Sequence, residues 1–284
     1  MPEYARDITL VSTDPSDHKS ADVVLSALPN DIAWSVESKL LDAGLNVVSN
    51  ASPERMNPRI PLINPEVNWE HLSILREVKG NWVIKNPPNC TAAIISMPVK
   101  PLQDLIDSMH IVTLQSVSGA GYLGLSYLAI DGNVIPFIKG EEEKIDAELN
   151  KILGKQFPDR FEPWGKPVYV TTTRVPVKYG HMAVIHAVLN KDVDTEYVIN
   201  RLSRFKSLPQ ERELPTAPKE PIKVINRVDA PQPARDLDPM SVSVGRISIK
   251  NRVLRLIALG DNLVRGAAGI TILTVETMKA LNIL

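Results

Sequence analysis

Val23-Val-Leu-Ser-Ala-Leu-Pro-Asn30-Asp-Ile-Ala-Trp-Ser-Val-Glu-Ser-Lys-Leu-Leu-Asp-Ala-Gly44-Leu-Asn-Val-Val-Ser49 is the stretch on which the fold turns. The apolar run Val23–Ala27 predicts a strand, and Leu28-Pro29-Asn30-Asp31 predicts a turn that leads into a helix cap. The helix runs over Ile32–Ala43 and stops at Gly44, and Leu45–Ser49 gives a second strand closed by small polar residues. Strand, helix and strand so close together make a parallel βαβ unit. A loop marked by Pro58, Pro61 and Pro65 follows, then a helix near Trp69–Val78 and a strand over Trp82–Lys85. In a doubly wound sheet, ligands bind at the carboxyl ends of such strands.

The texture changes after Cys90. Ile111–Val117, Val168–Thr173 and Val184–Val188 are rich in β-forming residues, and Glu142–Leu153 has the spacing of an amphipathic helix. Residues 208–240 contain seven prolines and many charges, which predicts a long loop or arm outside the core. Strands over Ser241–Ile247 and Arg252–Leu259 precede a last helix from about Leu263 to Leu281. The fold class is α/β: an incomplete Rossmann-like parallel-sheet domain over residues 1–89, then an α+β catalytic and dimerisation domain over 90–260. Residues 261–284 form a C-terminal helix that returns to the first domain.

A chain of 284 residues with 44% apolar and 23% charged side chains has the make-up of a soluble globular protein of about two domains. The net charge of −1 and the pI near 6.5 give no footing for a nucleic-acid or anionic-membrane partner. The most apolar stretches, Val253–Leu259 and Ala267–Leu273, fall far short of the roughly 20 residues that span a bilayer. Met1–Asp7 lacks the basic start and apolar run of a secretory signal. A single cysteine cannot form an internal disulfide, which suits a reducing cytoplasm, and no cluster has metal-ligand spacing.

That cysteine lies in Lys85-Asn-Pro-Pro-Asn89-Cys90-Thr91, where a strand ends, two prolines block helix and a helix-compatible run begins. A thiol at a helix N-terminus gains from the unpaired amides and the dipole, both of which favour a thiolate. The same amides suit an oxyanion formed on thiolate attack. A lone cysteine is equally often a small buried hydrophobe, and the residues alone leave both readings open. His181, after Gly180 at a strand entrance, is a candidate acid/base, and the planar fork of Arg174 suits a carboxylate. Glu141 and Lys144 are three apart on one helix face and present opposite charges, although acidic residues at a helix start are ordinary. Gly119-Ala-Gly121-Tyr-Leu-Gly124 fits a dinucleotide fingerprint, but Asp131-Gly132-Asn133 and Pro136 cut short the helix that the fingerprint needs. It reads as an active-site turn.

Taken in order, several stretches resemble the aspartate-semialdehyde dehydrogenases, in their archaeal and fungal-type branch. They are Ser26-Ala-Leu-Pro-Asn-Asp, Val48-Ser-Asn-Ala-Ser52 with Arg55, Pro65-Glu-Val-Asn68 and Pro88-Asn-Cys90-Thr. Gln115-Ser-Val-Ser-Gly-Ala-Gly-Tyr122, Gly140-Glu-Glu-Glu-Lys144, Arg174 through His181, Leu214-Pro-Thr-Ala-Pro218 and Asp261-Asn-Leu-Val-Arg-Gly-Ala-Ala-Gly269 continue the series. The resemblance implies NADP-dependent reduction of 4-aspartyl phosphate to aspartate 4-semialdehyde, a step toward lysine, threonine and methionine. Cys90 would form the thioacyl-enzyme, His181 would act on the hemithioacetal, and Gln115 would orient the thioester or the histidine. Arg174 would hold the substrate carboxylate, Glu141 its amino group, and Lys144 and Arg55 phosphate, with Asn89 beside the nucleophile. Ser26, Leu28, Pro29, Ser49, Asn50, Ser118, Gly119 and Asn262 would line the cofactor, and the second domain implies a homodimer or homotetramer.

The chain departs from the family at its front. No glycine precedes Gly44, and only about twenty residues precede Val23, where a first βαβ unit needs roughly 30 or more. Met1 reads as an internal start, a reading in which cofactor binding and activity are weakened. Leu123 stands where a proline is usual, and Met182-Ala183 follow the histidine less typically. Malonyl-CoA reductase on the same scaffold is the nearest rival. A catalytically dead fragment that only dimerises or binds ligand is the rival of another class.

Overall fold

The structure, a computed structural model, describes residues 7–121 and 124–284. Met1–Arg6 of the N-terminal reading, and the Tyr122-Leu123 departure, lie outside the described residues. The βαβ pattern is present: β1 (Val24–Ser26), α1 (Asn30–Asp42) and β2 (Val47–Ser49). They are followed by a single turn α2 (Pro65–Asn68), a 3-10 segment over Trp69–Arg76 and β3 (Val83–Lys85). All three strands are parallel in the order β1-β2-β3, and the register sets Ser26, Ser49 and Lys85 side by side at their carboxyl ends. The helix expected near Trp69–Val78 is thus 3-10 in character, and it begins directly after the Pro65 turn.

The rest of the chain forms α3 (Cys90–Val99), β4 (Ile106–Leu114), α4 (Glu141–Ile152), β5 (Lys155–Gln156), β6 (Phe161–Glu162), β7 (Val168–Thr171) and β8 (His181–Leu189). Then come α5 (Thr195–Ser203), α6 (Leu208–Glu211), β9 (Ile222–Val224), α7 (Pro233–Asp236), β10 (Val242–Lys250), β11 (Val253–Gly260) and α8 (Gly269–Ala280). A six-stranded mixed sheet runs β7-β4-β8-β11-β10-β9. One face is covered by α3 and α4, whose Ile94, Ile95, Met97, Ile145, Leu149 and Ile152 share an apolar core with strand residues Ile111, Ile185 and Leu256. Every residue of α3 after Cys90 is buried, so the helix that begins at Cys90 is fixed by packing.

Residues 208–240, expected as an arm outside the core, include α6, β9 and α7. β9 pairs in parallel with β10, and Ile222 belongs to the core. Its prolines fall at helix starts and turns, where a missing N–H costs nothing. The last helix opens with a π-helical turn over Val264–Ala268 before α8. A Cβ placed on Gly266 of that turn would come 2.7 Å from Cys90 Cβ, so only glycine lets the backbone pass behind the cysteine.

Candidate active site

Cys90 stands where β3 hands the chain to α3. Asn89 caps the helix, its Oδ1 accepting from the amides of Thr91 at 2.9 Å and Ala92 at 3.1 Å. Its Nδ2 donates to Glu141 Oε1 at 2.8 Å, and its own amide donates to Glu148 Oε2 at 2.5 Å. Gln115 Nε2, at the end of β4, reaches the same Glu141 oxygen at 3.3 Å. The structure therefore brings Cys90 and Asn89, Gln115, and Glu141 together from three segments.

The sequence expectation of a thiolate favoured by the helix end is not met in the unliganded chain. Burial, then the Glu141 carboxylate, push the thiol up to about 11, while Thr91 and Arg55 pull the other way. The amides meant for the thiolate already serve Asn89, and an acid sits opposite.

His181 opens β8. Its Nδ1 accepts from the Ser116 amide at 3.1 Å and lies 3.1 Å from Ser116 Oγ. A nitrogen that accepts from an amide carries no proton, so the neutral ring bears its hydrogen on Nε2. That Nε2 is buried without an acceptor among the described residues. Burial, then the Arg174 charge, bring the imidazole down to about 3, so it is neutral at neutral pH. Arg174 donates to the Ser116 carbonyl at 2.7 Å. A Cβ on Gly119 would come 2.6 Å from His181 Nε2 and 3.0 Å from Arg174 Nη1. Gly119 thus lies against the histidine and the arginine.

Ser116 is a residue that sequence reasoning missed. It ties the histidine to Asn262, whose Oδ1 accepts from Ser116 and Ser118 hydroxyls at 3.2 Å and from the Gly180 amide at 3.0 Å. The adjacent Gln115-Ser motif was the available signal. Glu148, Lys151, Glu37 and Lys85 were missed as well, because a charged residue inside a helix or strand gives no hint that it is buried.

Arg55 is nearly buried and pairs with Glu148 at 3.1 Å, while its Nη2 donates to the Asn50 carbonyl at 2.8 Å. It is close enough to Cys90 to favour the thiolate. Lys144, one turn along α4 from Glu141, is exposed and makes no ion pair among the described residues.

The residues expected to line a dinucleotide divide into two groups. The hydroxyls of Ser26 and Ser49 each donate to Glu37 Oε1 at 2.6 Å, and Glu37 pairs with Lys85 at 2.8 Å. Those two side chains are committed inward and do not fit as cofactor contacts. Leu28, Pro29 and Asn50, at least partly exposed beside the carboxyl ends of β1 and β2, remain available. Ser118 is partly exposed and Gly119 exposed, whereas Asn262 is buried and its side chain is engaged by Ser116, Ser118 and Gly180.

Comparison with known proteins shows the family. Residues 99–265 match the family description "Semialdehyde dehydrogenase, dimerisation domain", and residues 1–75 match "Semialdehyde dehydrogenase, NAD binding domain". An aspartate-semialdehyde dehydrogenase of Archaeoglobus fulgidus is 43% identical, covering 98% of this chain and 82% of its own length. A malonyl CoA reductase (NADP) of Metallosphaera sedula is 33% identical over 98% of this chain and 82% of its own. The crystal structure of the Candida albicans aspartate-semialdehyde dehydrogenase with NADP superposes at a TM-score of 0.92. It has 33% identity and covers all of this chain and 85% of that one. The segment 1–75 holds the parallel βαβ unit, and the segment 99–265 holds His181 and Arg174. The chain belongs to the aspartate-semialdehyde dehydrogenase family.

Proposed function

We propose that this chain reduces L-4-aspartyl phosphate to L-aspartate 4-semialdehyde with NADPH, the step toward lysine, threonine and methionine. The observation that carries the reading is the charge environment of one thiol. Glu141 and Arg55 act on Cys90 from opposite signs, and Arg174 feels both Glu141 and Cys90. An acid for an ammonium, one arginine for a carboxylate and another for phosphate suit a phosphorylated amino acid and no simpler aldehyde. A coenzyme A thioester such as malonyl-CoA offers no ammonium for Glu141, and the amino-acid reading is favoured for that reason.

In this reading Cys90 Sγ attacks the acyl carbon, the carbon–oxygen bond to phosphate breaks, and the thiol proton leaves with the phosphate. Arg174 holds the substrate carboxylate, Glu141 its ammonium, and Arg55 with Lys144 the phosphate. Gln115 and Asn89 keep Glu141 in place beside the nucleophile. Bound NADPH supplies a hydride to the thioester carbon. His181 meets the charge that builds on the thioester oxygen with its Nε2–H, held in that tautomer by Ser116. Thr91 and Arg55 then favour departure of Cys90 as thiolate. Leu28, Pro29, Asn50, Ser118, Gly119 and Asn262 would hold the dinucleotide.

We also assign residues 1–89 to cofactor binding, 90–260 to catalysis and dimerisation, and 261–284 to a return helix. The six-stranded sheet leaves Val112, Tyr169 and Val188 exposed on its open face, which supports a homodimer or homotetramer built there. None of the helices among the described residues is long and apolar enough to cross a membrane, and we place the protein in the cytoplasm. The test follows NADP reduction by the purified chain with aspartate semialdehyde and phosphate, beside NADPH oxidation with malonyl-CoA. Turnover in the first assay is expected. Faster turnover of malonyl-CoA would overturn the substrate, and an inert but dimeric chain would favour a binding module.

A further inference from the structure

Lys151, in the last turn of α4, is buried, and its Nζ donates to three main-chain carbonyls of one loop. The acceptors are Arg55 O at 2.8 Å, Asn57 O at 2.8 Å and Ile60 O at 2.7 Å. All three ammonium protons are used, and the Phe161 ring closes the site at 4.9 Å from its centroid. One turn earlier on the same helix, Glu148 holds the Arg55 guanidinium and, through its second oxygen, the amide of Asn89 beside Cys90. The loop's own backbone bonds are few: Arg55 N to Ser52 O at 3.3 Å, Asn57 N to Glu54 O at 3.0 Å and Ile60 N to Asn57 O at 3.2 Å. Arg55 Nε has no acceptor among the described residues, leaving a buried N–H for an anion.

We propose that Lys151 is a positioning residue for the anion subsite beside Cys90. Its ammonium pins loop 55–60 to α4 and so sets where Arg55 stands for phosphate. The proposal rests on the reading of Arg55 as a phosphate-holding group. Only a compact three-donor cation fills three converging carbonyls. A neutral amine keeps two donors and abandons one carbonyl. Burial brings Lys151 down to about 8, opposed by Glu148. The charged and titratable groups around it are Glu148 on α4, Arg55 on the loop and His71 on the neighbouring 3-10 segment. The clamp therefore loosens as pH rises through about 8.

The test uses the chain's one cysteine as reporter: the concentration of inorganic phosphate that halves iodoacetamide alkylation of Cys90. Lys151→Met is expected to raise that concentration about ten- to a hundredfold. Arg55→Met should raise it at least as far, and the double variant no further. In the unmodified chain it should climb from about pH 8 to about pH 9, where phosphate keeps one charge state, and stay flat in Arg55→Met. If Arg55→Met leaves protection unchanged, the phosphate reading of Arg55 falls and the proposal with it. If Arg55→Met weakens protection and Lys151→Met does not, the proposal alone falls. An equal effect of Lys151→Met with and without Arg55 would make Lys151 a structural residue only. Should Lys151→Met fail to fold, the pH profile of the unmodified chain decides, and a flat profile overturns the proposal.

Discussion

The two sheets of this protein are held by opposite means. In the six-stranded sheet, β4 and β8 have nine residues each, with buried positions largely alternating with half-buried or exposed ones. One apolar core joins them to α3 and α4. In the parallel sheet each strand has three residues, and its carboxyl ends are tied by a polar knot. Glu37 and Lys85 are wholly buried, with Ser26 and Ser49 donating to Glu37 and Lys85 also reaching Ser49 at 2.9 Å. Short strands bury little apolar area, which near 25 cal/mol per Å² limits what packing contributes. A satisfied buried ion pair adds geometry more than stability, but leaving either charge alone is costly. The lesson is that packing holds the helix of Cys90, while hydrogen bonds shape the strand ends of the parallel sheet. Cys90 sits at the seam of the two.

Cys90→Ser tests the seam and should give the largest effect, a loss of turnover of at least about 10⁴-fold with the melting curve unchanged. Retained turnover, measured by NADP reduction, would remove the cysteine from the chemistry. Lys85→Met strands Glu37 and should cost roughly 3–5 kcal/mol in denaturant unfolding. A loss below about 1 kcal/mol would mean that the knot is ornamental, and the contrast between the sheets would collapse. Gly119→Ala forces His181 and Arg174 apart, so kcat/KM should fall about ten- to a hundredfold while stability holds.

Acid pH sharpens the comparison because each half carries a histidine kept neutral by burial, His71 at about 4 and His181 at about 3. Their folded values lie below that of an unfolded histidine, near 6.5, so the unfolded chain binds protons first as pH falls. Stability should be full above about pH 6.5 and decline below it, with a slope of up to about 1.4 kcal/mol per pH unit for each histidine. His71→Gln should flatten that decline, and an unaltered acid limb would contradict the burial account. The smallest effect belongs to Arg201→Ala, which breaks a partly exposed pair with Asp104 beside the large sheet. It should cost about 0–1 kcal/mol.

Much of this was legible in one dimension. Val23–Ser49 spelled a βαβ unit through its turn residues, and α1 and its flanking strands match within a few positions. Pro87, Pro88 and Asn89 announced a helix start at Cys90, which the structure has at that residue. Local chemistry controls these features, so local reading recovers them. The long arm was misread because proline content signals turns but says nothing of a three-residue strand such as β9 that gains its bonds from β10. Ser26 and Ser49 were read as cofactor contacts because position at a strand end was all that the sequence offered. Their commitment to Glu37, 11 and 12 residues away, is a tertiary fact.

By itself the sequence determined the element order, the family resemblance and which side-chain types are available for chemistry. Side-chain type and turn propensity are written residue by residue. Only the tertiary structure decided their state: a thiol pushed up to about 11, a histidine with its proton on Nε2, and an arginine held by Glu148. Those outcomes depend on burial and on partners far apart in the chain, 65 positions for Ser116 and His181 and 93 for Arg55 and Glu148. Desolvation and Coulomb energies follow distance in space, and the order of residues along the chain does not carry it.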